Sequence, residues 1–155
     1  FNHILNQPLT SELMQKYMQT FDDVLDTTLM ECEVATGLEV LKNATTHARW
    51  MLLSGGDQAE LRRIFPRRNL DHFFEAGIFG GPDQKEHVLA REIANGNIQL
   101  PALFLGDSKY DHQASVGAGL EFIFLSDWTE VRDWQDYCSK NGITVVKNIN
   151  ELIGG

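Results

Sequence analysis

Four short, mostly apolar runs, separated by stretches of helical spacing, constrain this chain more than any other feature of its sequence. They are Trp50-Met51-Leu52-Leu53, Ala102-Leu103-Phe104-Leu105, Phe122-Ile123-Phe124-Leu125 and Ile143-Thr144-Val145-Val146. Runs this short and this apolar suit parallel strands buried on both faces. Ile78-Phe79 is a briefer apolar pair ahead of Gly80-Gly81-Pro82-Asp83. Between the runs lie helical segments. One carries Leu61 and Ile64, opens on a capping box of Asp57 and Glu60, and is closed by Pro66. Another runs from about Gln84 to Asn95, a third passes through Ala114, Val116 and Ala118, and a fourth holds Val131, Trp134 and Tyr137. Asn150 to Ile153 reads as a closing turn. Strands alternating with helices predict an α/β fold, a parallel sheet with helices on both faces.

The part before Trp50 has a different pattern. Pro8-Leu9-Thr10 reads as a helix entry with Thr10 or Ser11 as cap. Leu13, Tyr17, Phe21, Val24, Leu25 and Leu29 recur at helical spacing and give one apolar face. A short helix from Gly37 to Asn43, with Leu38, Val40 and Leu41, follows. The chain opens at Phe1 instead of Met, inside an apolar or amphipathic segment, and an upstream segment is expected.

The 155 residues, 43% hydrophobic and 23% charged, are enough for one globular domain with a sizeable core. No apolar stretch approaches the roughly 20 residues of a membrane-spanning helix. A formal net charge of -9 argues against a general nucleic-acid binder, which needs a basic surface. It leaves room for a small phosphorylated substrate at a locally positive site. Cys32 and Cys138 lack metal-ligand spacing. With no secretory signal, they suggest a reduced, cytoplasmic setting.

In a parallel sheet of this kind ligands bind at the carboxyl ends of the strands. Ser54 stands at such an end, in the turn Ser54-Gly55-Gly56. Its hydroxyl and the glycine amides suit a phosphate oxygen, although taken alone the pattern favours a turn serine serving its own backbone. Asp107 and Asp111, in Gly106-Asp107-Ser108-Lys109-Tyr110-Asp111, lie one helical turn apart after an apolar strand. Paired carboxylates are hard ligands for magnesium; they also cap helix starts. Lys85 opens a helix, where a cation opposes the helix dipole. A lysine needed at a phosphate or a nucleophilic carboxylate would explain its position, as would an ordinary surface lysine.

Taken in order, these segments resemble the phosphatase branch of the haloacid-dehalogenase superfamily. Leu52-Leu53-Ser54-Gly55-Gly56 is similar to that family's second motif, Gly81-Pro82-Asp83-Gln84-Lys85 to its third, and Gly106-Asp107-Ser108-Lys109-Tyr110-Asp111 to its fourth. Ala114 through Leu125 is similar to the helix and strand that come next. The resemblance implies a Rossmann-like core over residues 37–155, with 1–36 the remnant of a small helical cap. It implies a magnesium-dependent phosphatase-type hydrolase acting on a small phosphate monoester through an aspartyl-phosphate intermediate. Ser54 and Gly55 would bind the phosphoryl group, Lys85 would neutralise it and orient the nucleophile, Asp107 would ligate Mg2+, and Asp111 would support the metal or its waters.

The first motif, an apolar strand leading to a nucleophilic aspartate, has no match. Asp22-Asp23 sits inside a helical pattern and is given no catalytic role. The chain alone is therefore expected not to turn over. The alternative is a non-catalytic phosphate-binding or regulatory module of the same fold. In the family the missing strand lies between those of Leu52 and Leu103. Its absence would leave a slot of about 10 Å, since neighbouring strands stand about 4.8 Å apart. Unpaired backbone groups lining it would cost about 1–3 kcal/mol each. An upstream segment or another chain is expected to fill the slot; failing that, the sheet closes up. Arg62, Arg63, Arg67 and Arg68 suggest a solvated helix end more than an acidic-ligand site. His47, His72, His87 and His112 lack metal spacing, and Trp128, Trp134 and Tyr137 read as packing residues.

Overall fold

The computed structural model describes residues 11–154 and divides after Val34 into two units. The first contains helix α1, Ser11–Glu31. Thr20, Thr27 and Thr28 return their hydroxyls to carbonyls one turn back, and Gln19 donates to Asp23 at 3.1 Å. Of the expected apolar face, Phe21 and Val24 are exposed, and Asp23 is helical as read. The Pro8–Thr10 entry and the Leu25 side chain lie outside the described residues.

The second unit, from Ala35 on, holds the α/β alternation. Thr36 goes with it, because its Oγ1 accepts from Asn150 Nδ2 at 2.9 Å. Its order is α2 Leu38–Ala44, β1 Leu52–Asp57, α3 Gln58–Arg67, β2 Ile78–Gly81, α4 Lys85–Ala94, β3 Leu103–Gly106, α5 Lys109–Gly117, β4 Glu121–Leu125, α6 Trp134–Asn141 and β5 Thr144–Val146. Short 3-10 turns cover Asp71–Phe73 and Ile149–Leu152.

All strand pairing is parallel, but it falls into two sheets. β1 pairs with β2, whereas β3, β4 and β5 form a three-stranded sheet with β4 in the middle. Among the described residues no strand pairing joins the two sheets. Leu103, at the start of β3, is half exposed.

Each sheet has its own helical cover. α3 packs on β1 and β2 through Leu61 and Ile64. α5 packs on β3 and β4, with Ala114 and Ser115 buried. Phe124, fully buried on the central β4, stacks on Trp134 of α6 at 5.9 Å between centroids. Val88 and Leu89 bury the inner face of α4. Branched and aromatic side chains of this size exclude water most effectively when wholly buried, at about 25 cal/mol per Å² of apolar surface.

Local boundaries depart from the sequence reading in two places. The first strand begins at Leu52 and runs through Ser54-Gly55-Gly56 instead of stopping there. It pays with a register irregularity between Leu53 and Asp57, a bulge that glycines permit. Val131 lies outside α6, because Thr129 Oγ1 accepts its backbone N–H at 3.1 Å and holds it in a turn. Asp57 does cap α3, accepting from the Glu60 amide at 2.9 Å, while Pro66 sits in the last turn.

Candidate active site

Ser54 lies within β1, Lys85 follows β2, and Asp107 with Asp111 follow β3. Lys85 is the first residue of α4, and Asp111 lies in the first turn of α5. Their side chains form an ion pair, with only 13% and 7% of the side-chain surface exposed. The pair therefore joins the helix after β2 to the helix after β3, and so links the two sheets. Buried this deeply, a carboxylate and an ammonium each need their partner.

Asp111 is fixed by its surroundings as well as by Lys85. Its backbone N–H donates to Ser108 Oγ, the N-cap of α5, at 3.0 Å. Its Oδ1 takes the Lys85 ammonium and its Oδ2 accepts the Asp107 backbone N–H at 3.2 Å. Gly106 makes this approach possible: a Cβ there would stand 2.6 Å from the Asp111 Cβ, well inside contact distance. The carbonyl of Asp107 is held in turn by Thr129 Oγ1 at 2.6 Å. Asp107 thus has its backbone bonded on both sides.

The Asp107 carboxyl is held above the ordinary aspartate range, first by burial and then by the neighbouring Asp111 charge, with Lys85 partly offsetting both. Two carboxylates face a single ammonium, and that ammonium bonds Asp111. The remaining negative charge sits on Asp107, an oxygen donor of the type magnesium prefers. The donor set fits one direct carboxylate ligand with water completing the shell. Among the described residues no group of three or more His, Cys, Asp or Glu forms a metal cluster.

Ser54 lies on β1, in a different sheet from the strand that precedes Asp107. Its hydroxyl accepts the Gly56 N–H at 3.1 Å, and no hydrogen bond or ion pair ties it to Lys85, Asp107 or Asp111 among the described residues. A Cβ added at Gly55 would meet open space. The β1 end is nevertheless packed closely against β2, where a Cβ on Gly80 would collide with the Gly56 carbonyl. The structure therefore brings Lys85, Asp107 and Asp111 together, and among the described residues no hydrogen bond or ion pair joins Ser54 to them.

Other candidates have structural partners. Arg62 Nε donates to the Ile78 carbonyl at 2.8 Å, tying α3 to β2. His112 Nδ1 lies 2.8 Å from the Tyr137 hydroxyl, and burial pushes its imidazole below the usual histidine value. Trp134 and Tyr137 pack, whereas Trp128 is 54% exposed. No helix among the described residues is long and apolar enough to cross a membrane.

Sequence reasoning passed over Tyr110, Glu86, Ser108 and Thr129. Ser108 was readable, since a serine three residues before Asp111 is an N-cap pattern. The other three meet their partners across long separations in sequence: the Lys85 amide and Glu86 carboxylate for Tyr110, and the Asp107 carbonyl for Thr129.

No protein-family model and no curated protein matches this sequence. Solved structures match it across nearly its whole length. A predicted phosphatase from Clostridium acetobutylicum superposes with a TM-score of 0.69 at 18% identity, covering 99% of this chain and 73% of that one. A haloacid dehalogenase-like hydrolase from Streptococcus pneumoniae gives 0.67 at 16% identity, over 93% and 70%. A haloacid-dehalogenase-superfamily hydrolase from Ehrlichia chaffeensis gives 0.57 at 22% identity, over 92% and 70%. The fold is that of the haloacid-dehalogenase-like hydrolases and phosphatases.

Proposed function

We propose that this chain supplies the phosphate- and magnesium-binding side of a phosphatase that hydrolyses a small phosphate monoester. The observation that carries this reading is the interlocked Lys85–Asp111 pair with Asp107 beside it, at the carboxyl ends of parallel strands. Phosphoryl transfer is chiefly a matter of positioning and charge stabilisation, and these residues suit both.

In this reading the Lys85 ammonium, already anchored on Asp111, faces the transferring phosphoryl group and the nucleophile. The Ser54 hydroxyl and Gly55 amide receive phosphoryl oxygens. Because the Ser54 hydroxyl serves only a local amide, its proton is free to be donated to a phosphate. Asp107 ligates Mg2+, and Asp111 acts through Lys85 and through the Asp107 amide. The metal, when bound, neutralises charge on the phosphate and lowers the barrier to in-line attack. The nucleophilic aspartate comes on a further strand seated between β1 and β3, from an upstream segment or another chain, and forms the aspartyl-phosphate. The separation of the described strands into two sheets supports that placement. Without that strand the chain binds phosphate and does not turn over.

The test is hydrolysis of p-nitrophenyl phosphate by the full-length protein across a magnesium titration. Activity that requires Mg2+, is abolished by chelator and disappears in Asp107→Asn is expected. Undiminished hydrolysis in chelator or in Asp107→Asn would overturn the reading. Phosphate binding with no turnover in the full-length protein would favour the non-catalytic module.

A further inference from the structure

We propose that Tyr110 is a positioning residue for Lys85, tying the first turn of α4 to the first turn of α5 and thereby setting where the Lys85 ammonium stands. Its phenol oxygen accepts the Lys85 backbone N–H at 3.2 Å and donates its own proton to the Glu86 carboxylate. The Lys85 Nζ stands 5.8 Å from the centroid of the Tyr110 ring. One side chain thus touches the lysine's backbone, its ammonium and the residue after it.

The need for such a tether follows from helix geometry. The first N–H groups of a helix have no partner within it, and Gln84, the N-cap of α4, provides no side-chain bond. The missing acceptor comes from the residue next to Asp111 in another helix. Lys85 is consequently held at both ends by adjacent positions, the amide by Tyr110 and the ammonium by Asp111. The hydroxyl sits on an exposed side chain, so the arrangement does little for the core.

The effect on catalysis rests on the phosphatase reading; the tether itself does not. The experiment therefore has two readouts in the full-length protein, for Tyr110→Phe and Glu86→Gln. The first is competitive acetylation with acetic anhydride, read by mass spectrometry, with Lys109 as internal reference. Lys109 pairs with Asp133 and neighbours Tyr110, so general loosening would raise both lysines together. In Tyr110→Phe the Lys85-to-Lys109 labelling ratio should rise about fivefold through local opening, and in Glu86→Gln about twofold. The second readout is hydrolysis of p-nitrophenyl phosphate. Tyr110→Phe should lower kcat about tenfold and leave KM within about twofold, as for a group misplaced in the transition state.

A raised labelling ratio in a protein whose wild type hydrolyses nothing would leave the tether standing and remove the phosphatase reading. An unchanged ratio in a variant that unfolds at the wild-type temperature would overturn the proposal. So would an unchanged kcat beside an active wild type. Glu86 is exposed, so Glu86→Gln carries the test if Tyr110→Phe does not fold.

Discussion

The irregular turn within β1 and the corner where α4 meets α5 hold similar chemistry, yet they are built differently. Ser54, Gly55 and Gly56 form the irregular second half of a parallel strand, where the Ser54 hydroxyl accepts only the nearby Gly56 amide and a Cβ on Gly55 would meet open space. Lys85, Asp107 and Asp111 come after their strands and are interlocked through Ser108, Tyr110 and Thr129. The corner is preorganised before any ligand arrives, and the turn is ready to wrap one. Charge accounts for the contrast. A buried carboxylate or ammonium is tolerated only with partners, so a charged site must be built in full. A hydroxyl and two amides can face water at little cost until a phosphate replaces it.

The comparison is broken most directly at Asp107. Asp107→Asn removes the anionic ligand and should lower magnesium-dependent kcat by at least about a hundredfold, measured as p-nitrophenyl phosphate hydrolysis against Mg2+ concentration. Asp111→Asn should cost less if Asp111 acts only through Lys85 and the Asp107 amide. Next in size is the ion pair. Lys85→Met leaves Asp111 without its cation and should destabilise the protein by about 3 kcal/mol in urea denaturation. Adding Asp111→Asn to that variant should restore much of the loss.

The turn should respond in the opposite way. Ser54→Ala removes one local hydrogen bond and should cost no more than about 1 kcal/mol, while weakening phosphate binding seen by isothermal titration calorimetry. A cost as large as that of Lys85→Met would erase the distinction between the two regions.

The smallest effect lies in pH. The Asp107 carboxyl is held above its ordinary value, so its ionised form disfavours the folded state. That penalty is present above the folded value and vanishes as pH falls below the unfolded value of about 3.9. Without metal, Asp107→Asn should accordingly be slightly more stable than the parent at neutral pH and lose the advantage in acid, by thermal melts across pH. Greater stability beside lost activity is the pattern of a residue kept for binding.

The strands were legible because each is a short, mostly apolar run ended by polar or small residues, and the helices because of their periodicity. Leu103–Gly106 and Glu121–Leu125 lie within a residue or two of where those runs place them. The Ser54 strand was read too short because glycines signal a turn locally, while pairing with β2 carries the strand through them. Asp107 and Asp111 were visible from their spacing and Lys85 from its awkward place at a helix start. The bonds that lock them were not, since Tyr110 and Glu86 belong to helices whose contact is decided only by the folded chain. The division into two sheets was likewise beyond local pattern, which fixes strands but not their neighbours.

Gly106 has a consequence at the level of the gene. Asp111 leans over the bare α-carbon of Gly106, closer than any side chain there would allow. Glycine is the smallest residue, so every missense change in that codon adds atoms where the Asp111 carboxylate must lie. Even alanine, the mildest, would push Asp111 off the Asp107 amide and away from Lys85 without altering a single charge. The position has no conservative replacement, and drift there is closed although the residue has no chemistry of its own.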